Sequence, residues 1–114
     1  MPRVHDPLPL FQSWLDEARG SMGYDADAMT VATATPDGAP SARIVLLKGV
    51  GDRGLVFFTN YSSRKGRELA ENPRAALLFH WQPLGRQVRV EGPVSRADRA
   101  ESEAYAAAGR ARAS

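Results

Sequence analysis

The chain of 114 residues contains no cysteine and only two histidines, His5 and His80. It can therefore form neither a disulfide framework nor a thiolate metal site, and two histidines are too few for a histidine-rich metal centre. No apolar run approaches the roughly 20 residues that a membrane-spanning helix needs. Residues 1–7 lack the apolar core of a signal peptide. These absences predict a cytoplasmic protein that holds no structural metal and does not span a membrane.

Positive charge is concentrated in one part of the chain. The formal net charge is only +2, yet Pro40 to Arg67 holds six Lys or Arg residues and one acid, Asp52. Four of these cations lie at or near the ends of two apolar runs, IVLL and LVFF, or just after them: Arg43, Lys48, Arg64, Lys65. Nucleic-acid binding needs a broad basic face, which this sequence does not require. The concentration predicts instead a compact site for one phosphate group.

The spacing of apolar residues predicts a single domain, 1–114, with three helices and five strands. The first helix lies within residues 1–24, begins after the cap Asp6-Pro7 and ends between Gly20 and Gly23. The second spans Arg64–Glu71, and the third spans residues 96–108, with a tail to residue 114. The predicted strands are 29–35, 41–50, 55–60, 74–81 and 86–95.

Short turns such as Pro36-Asp37-Gly38 join these strands into an antiparallel meander. Such strands, with one interrupting helix, predict a mainly β fold with flanking helices, in the form of a small closed or partly closed barrel. No strand–helix–strand series carries a G-x-G-x-x-G motif, so a dinucleotide-binding fold is not expected.

Two segments are candidates for binding an anion. Arg43 and Lys48 bracket an apolar strand, where a cation is unfavourable unless an anion neutralises it. The segment Thr59-Asn60-Tyr61-Ser62-Ser63-Arg64-Lys65 places hydroxyls, backbone N–H groups and two cations at a helix start. Taken alone, each segment is better explained by solvated charges at the end of a strand or helix. Taken together, on neighbouring segments, they favour a bound phosphate.

Gln87, on the fifth predicted strand, is a further candidate. Its amide can donate to one ring heteroatom and accept from another, so it could bind the polar edge of a flavin or a base. The alternative is an ordinary exposed strand residue. We assign no catalytic role to His5 or His80.

In combination, these segments resemble the pyridoxamine 5′-phosphate oxidase family. The segments are DPLPLFQSWLDEA, AMTVATATPDGAPSARIVLLK, VFFTNYSSRKGRELAENPRAALLFHW and RQVRVEG. The resemblance runs from about Asp6 to Ser114. It implies an FMN-binding split β-barrel that works as a homodimer, with FMN at the subunit interface. It also implies oxidation of pyridoxine or pyridoxamine 5′-phosphate to pyridoxal 5′-phosphate by O2.

The resemblance implies two sets of binding residues and no catalytic side chain. The FMN contacts would be Arg43, Ile44, Val45, Leu46, Lys48, Phe58, Thr59, Arg64, Lys65 and Gln87. The substrate-phosphate contacts would be Lys48, Tyr105, Arg110 and Ser114. Phe58 stands where the family often has Tyr. One additional residue separates Tyr105 from Arg110, so either a bulge or an early helix end absorbs it, or one assignment is wrong.

Family members continue well beyond Ser114, with further strands and an Arg-x-His pair that contacts the pyridine substrate. We therefore expect this chain to be a fragment, a truncated product or a shortened homologue. Two alternatives to an active oxidase stay open: a flavin-binding module without oxidase activity, and a barrel of this type that uses another substrate or a deazaflavin. A small nucleic-acid-binding barrel is the least favoured alternative. Such a barrel needs exposed aromatic side chains, whereas the aromatics of this chain fall in apolar runs typical of a core.

Overall fold

The computed structural model describes residues 8–50, 54–58, 64–96, 103–107 and 110–113. Within these ranges the chain forms two α-helices, α1 (Leu8–Met22) and α2 (Arg64–Glu71). Short 3-10 helices span Gly23–Asp27 and Gln82–Leu84. The strands are β1 (Ala28–Ala34), β2 (Pro40–Val50), β3 (Gly54–Phe58), β4 (Arg74–Trp81), β5 (Arg86–Arg96), β6 (Glu103–Ala107) and β7 (Arg110–Ala113).

Every strand pairing in the described structure is antiparallel. The strand order is β4-β1-β2-β3-β6-β5-β7, and an additional pairing of β4 with β5 closes six of the strands into a ring. The two longest strands, β2 and β5, each have 11 residues and connect the two halves of the ring. Along one edge, β5 pairs first with β7 and then with β6. The predicted fold class, a mainly β split barrel with flanking helices, is confirmed.

The core explains why the alternating segments form strands. Strand β1 buries every second residue, and so does β4, where Leu77, Phe79 and Trp81 face inward. Helix α1 packs its apolar stripe on this core, and its Phe11 ring lies 5.2 Å from the Phe79 ring, centroid to centroid. The buried Trp81 indole donates from Nε1 to the Ala26 carbonyl at 2.9 Å. Neither helix in the described ranges is long and apolar enough to cross a membrane.

The predicted Pro36-Asp37-Gly38 turn lies within the described residues and is present there. Gly38 has φ of 96° and donates its N–H to the Thr35 carbonyl at 2.9 Å, as a Pro-Asp-Gly turn requires. Gly85 is left-handed, with φ of 62°, after the second 3-10 helix. The predicted cap at Asp6-Pro7, the turn at 51–53 and the hydroxyls Ser62 and Ser63 lie outside the described residues. For the five predicted strands, the observed ends lie within two residues of the predicted ones, and β4 matches at both ends.

The helix predicted over residues 96–108 is wrong. Within that range, Glu103–Ala107 form β6, which pairs with β3 on one side and with the end of β5 on the other. Ala and Glu favour a helix by only a few tenths of a kcal/mol per residue. The edge of β3 would otherwise leave a row of backbone groups unpaired, and pairing these groups outweighs the local preference.

Candidate functional site

The candidate site lies between β2 and the first turn of α2. Lys65 is only 6% exposed. Its Nζ donates to the Phe58 carbonyl at 3.3 Å and lies 5.8 Å from the centroid of the Phe57 ring. Burial lowers the pKa of Lys65, and the positive charge of Arg43 lowers this pKa further. A buried ammonium facing a like charge is unfavourable, so this environment favours a bound anion.

Arg43 provides the second cation. It lies in the middle of β2, opposite Val31 of β1. The side chain is half-buried, and its Nε is fully enclosed without a hydrogen-bond partner in the described part of the chain. An unpaired buried donor costs about 1–3 kcal/mol, and more when it is charged. An anion placed between Arg43 and Lys65 would satisfy this donor and neutralise the repulsion, so these residues fit a phosphate.

A buried carboxylate joins the site to the barrel. Glu68 is 4% exposed, and its Oε1 accepts hydrogen bonds from Thr33 Oγ1 and Ser41 Oγ, each at 2.7 Å. Its Oε2 accepts from Arg64 Nε at 2.9 Å. The hydrogen bonds from Thr33, Ser41 and Arg64 lower the pKa of Glu68 from 4.5 to about 2. Glu68 is therefore an anion that ties α2 to both β1 and β2.

Exposed apolar side chains lie on the outer face of the same strands. Ile44 and Leu46 of β2 are 68% and 62% exposed, and Phe58 of β3 is 57% exposed. Lys48 Nζ lies 5.3 Å from the centroid of the Phe58 ring. We call Ile44, Leu46 and Phe58 the outer apolar patch. Contiguous exposed apolar side chains of this kind mark a binding surface.

The structure brings some of the predicted site residues together and separates others. Arg43, Arg64 and Lys65 lie around the junction of β2 and α2, whereas Val45 points inward and packs against the core. Gln87 is exposed on β5, opposite His80 of β4. Strands β4 and β1 separate it from β2 in the sheet order.

The predicted substrate-binding residues fall on different strands. Tyr105 lies in β6, where its backbone is opposite Val56, and Arg110 lies in β7, opposite Glu91. Tyr105 and Arg110 thus lie on two different strands, so the helical spacing considered for them does not apply. Thr59 and Ser114 lie outside the described residues.

Sequence reasoning missed Glu68, Thr33 and Ser41. Two signals were available. Thr33 is polar, whereas the other buried positions of β1, Met29 and Val31, are apolar. Glu68 follows Arg64 at the i,i+4 spacing of a helical ion pair. Neither signal specifies that all three residues meet. Within the described ranges, no group of three or more His, Asp or Glu side chains is placed to share a metal ion.

Solved structures share this split-barrel fold. PhzG from Burkholderia lata 383, solved with tetrahydrophenazine-1-carboxylic acid, is 35% identical with a TM-score of 0.79. That alignment covers 83% of this chain and 47% of PhzG. A pyridoxamine 5′-phosphate oxidase-related, FMN-binding protein from Nostoc punctiforme is similar in fold, with a TM-score of 0.69 at 21% identity. The latter alignment covers 89% of this chain and 52% of the Nostoc protein.

The chain belongs to the pyridoxamine 5′-phosphate oxidase family, whose family model matches residues 22–114. The pyridoxine/pyridoxamine 5′-phosphate oxidase of Gluconobacter oxydans is 59% identical over 100 residues. This match covers 88% of the chain and 50% of the Gluconobacter protein. The chain thus spans about half the length of the curated relatives it matches. The family resemblance predicted from sequence is confirmed.

Proposed function

We propose that this chain binds FMN and acts in oxidising pyridoxine or pyridoxamine 5′-phosphate to pyridoxal 5′-phosphate. The observation that carries the proposal is the pair formed by Lys65 and Arg43. The Lys65 ammonium is buried beside a like charge, and Arg43 holds an enclosed Nε without a partner in the described part of the chain. The names of relatives about 60% identical support the choice of substrate.

In this proposal the cations hold the FMN phosphate. Arg43 offers a planar N–H fork to the phosphate oxygens, and Lys65 offers a point charge from a rigid, buried position. Arg64 completes the set at the start of α2, where backbone N–H groups add neutral donors. Thr59 stays a contact predicted from the sequence. A phosphate dianion neutralises most of the repulsion among the three cations. The charges that destabilise the site without a ligand therefore favour the site with phosphate bound.

The outer apolar patch suits the flavin ring. Ile44, Leu46 and Phe58 present apolar surface next to Lys48 on the strand that carries Arg43. Gln87 would bind the polar edge of the ring through its amide. Because β4 and β1 separate Gln87 from β2, we propose that a second copy of the chain supplies it. This arrangement requires a homodimer with FMN between the subunits, which would also cover the patch. We place the dimer in the cytoplasm.

The proposed reaction balances without a catalytic side chain. Bound FMN supplies two-electron redox chemistry that connects the substrate to O2. Pyridoxine 5′-phosphate loses two hydrogens from its C4′ alcohol to give the aldehyde, and O2 becomes hydrogen peroxide. Pyridoxamine 5′-phosphate additionally consumes water and releases ammonia. The residues of the chain bind and orient the substrate, with Lys48, Tyr105, Arg110 and Ser114 proposed at its phosphate.

The test is oxidase turnover by the purified 114-residue chain loaded with FMN. Peroxide release and pyridoxal 5′-phosphate absorbance are measured with pyridoxamine 5′-phosphate and with pyridoxamine, which lacks the phosphate. We expect both products from the phosphorylated substrate and far less from pyridoxamine. A chain that binds FMN but yields neither product would overturn the oxidase activity and indicate a flavin-binding module instead.

A second candidate function is a flavin oxidoreductase that acts on a different ring. PhzG is 35% identical to this chain and was solved with a tetrahydrophenazine carboxylic acid. The same peroxide assay with that compound separates the two functions. Faster turnover of the tetrahydrophenazine than of pyridoxamine 5′-phosphate would favour this candidate. The reverse order would support the pyridoxamine 5′-phosphate activity.

A further inference from the structure

Glu68 has no role in the proposed function, yet it is buried and accepts a hydrogen bond from Arg64, one of the cations proposed to hold a phosphate. An acid at such a position repels a bound dianion, so its presence there calls for a physical reason. The carboxylate is 4% exposed and uses both oxygens. Its partners come from three elements: Thr33 of β1, Ser41 of β2 and Arg64 of α2.

The hydrogen bonds from Thr33 and Ser41 hold the Glu68 carboxylate in place independently of Arg64. Two hydroxyl donors hold Oε1, each at 2.7 Å, and they are attached to adjacent strands of the barrel. An exposed i,i+4 ion pair on a helix contributes little to stability, because both side chains are free to move. Here one partner is immobile, so Arg64 loses conformational freedom without Glu68 losing any more.

The contact with Arg64 also has a direction. Glu68 Oε2 accepts from Arg64 Nε at 2.9 Å, which is the inner edge of the guanidinium group. The two terminal amino groups lie on the other edges, and the Arg64 side chain as a whole is 60% exposed. Engaging Nε therefore orients the terminal amino groups towards the outside, where they can form a fork with phosphate oxygens.

We propose that Glu68, held by Thr33 and Ser41, is a positioning residue that orients Arg64 for the phosphate of FMN. The inference rests on the proposed function. A carboxylate suits this role better than an amide, because it accepts all three hydrogen bonds and presents no N–H to them. Its negative charge also offsets one of the three clustered cations in the absence of ligand.

The test compares FMN with riboflavin, which has the same ring but no phosphate. Dissociation constants are measured by flavin fluorescence for the parent, Glu68→Gln, Arg64→Ala and the double variant. We expect Glu68→Gln to weaken FMN binding by about tenfold, and riboflavin binding by less than about twofold. In the Arg64→Ala background the same change should alter FMN binding by less than about twofold, because Glu68 acts through Arg64.

Glu71→Gln is the matched control, since it removes one acid from an exposed position on the same helix. It should leave both affinities within about twofold of the parent. Should Glu68→Gln fail to fold, Ser41→Ala replaces it, with an expected loss of about threefold in FMN affinity that also depends on Arg64.

Three results would overturn the inference. Equal losses for FMN and riboflavin would show that Glu68 only joins α2 to the barrel. An undiminished loss in the Arg64→Ala background would show that it does not act through Arg64. Tighter FMN binding by Glu68→Gln would show that charge repulsion dominates. A parent chain that binds no FMN at all would instead reject the proposed function, so the two failures are distinguishable.

Discussion

Replacing Lys65 with methionine should move folding stability and FMN affinity in opposite directions. Lys65 is buried against the Phe57 ring, and its charge faces Arg43. Methionine keeps an unbranched chain of similar length and packs well against an aromatic ring. The substitution removes a desolvated charge, and the hydrogen bond that it gives up, to the Phe58 carbonyl at 3.3 Å, is a long one. We therefore expect the free energy of unfolding of the ligand-free protein to rise by roughly 1 kcal/mol.

The effect on binding has the opposite sign. A hydrogen bond between a charged donor and phosphate contributes about 1.5–3 kcal/mol. Its loss corresponds to a fall in FMN affinity of roughly 10- to 100-fold. With FMN at about 100 times the parent dissociation constant, the parent gains about 2.7 kcal/mol from binding. The variant gains far less, so the order of stability reverses when FMN is added.

The assay is urea unfolding with and without FMN, together with a fluorescence titration of FMN. Arg67→Met is the control, because it removes one positive charge from an exposed position on the same helix. Arg67→Met should change neither the free energy of unfolding nor the FMN affinity by more than a small amount, since solvent and salt screen the charge of Arg67. Two results would refute the role assigned to Lys65. One is a Lys65→Met variant that binds FMN as tightly as the parent does, and the other is a loss of several kcal/mol in the stability of the ligand-free protein.

Three further predictions follow from other parts of the structure. The pKa of Glu68 is depressed to about 2, so its stabilisation is present above its ordinary pKa of 4.5 and is lost as the pH falls from 4.5 towards 2. Glu68→Gln should flatten that part of the acid dependence in urea unfolding, and an unchanged pH profile would contradict the assignment. In the proposed homodimer, Leu46→Glu on the outer apolar patch should shift the protein to monomer in sedimentation, with folding stability within about 0.5 kcal/mol of the parent; an unaltered dimer would exclude this patch from the proposed interface. Trp81→Phe should cost about 1–3 kcal/mol in thermal or urea unfolding, because the Ala26 carbonyl loses its donor in the core; a neutral result would mean that this hydrogen bond contributes little.

The strands were predictable because their signal is local. In the sequence, β1 alternates well enough to predict a strand and β4 is a short apolar run between turn signals, while the Pro-Asp-Gly turn after β1 depends on three adjacent residues. The helix over Arg64–Glu71 was also predicted with its observed ends. In each case, tertiary packing agrees with the local preference.

The C-terminal region shows where local signals fail. Residues 103–107 are rich in Ala and Glu and favour a helix, but they complete the barrel by pairing with β3 and β5. This pairing depends on β3, which lies about 50 residues earlier in the chain. The helix propensity of a short segment carries no information about which strand edge elsewhere in the fold is unpaired.

The candidate site could be predicted only in part, because some of its signals are local in the sequence and others arise only in the fold. The cations of β2 and α2 stand out as a local excess of charge, so the sequence indicates a phosphate site. Glu68 does not stand out, because its role depends on hydroxyls from β1 and β2 that only the fold brings to it. The ligand contacts proposed for all the site residues, including Gln87, Tyr105 and Arg110, stay predictions.

The most direct test of the account compares the affinities of the purified chain for FMN and riboflavin by fluorescence titration. If Arg43 and Lys65 form a phosphate site, FMN should bind at least about 100-fold more tightly than riboflavin, and the difference should shrink at high salt. Equal affinity for the two flavins, or no binding of either by the well-folded chain, would contradict the claim that these buried cations hold a phosphate.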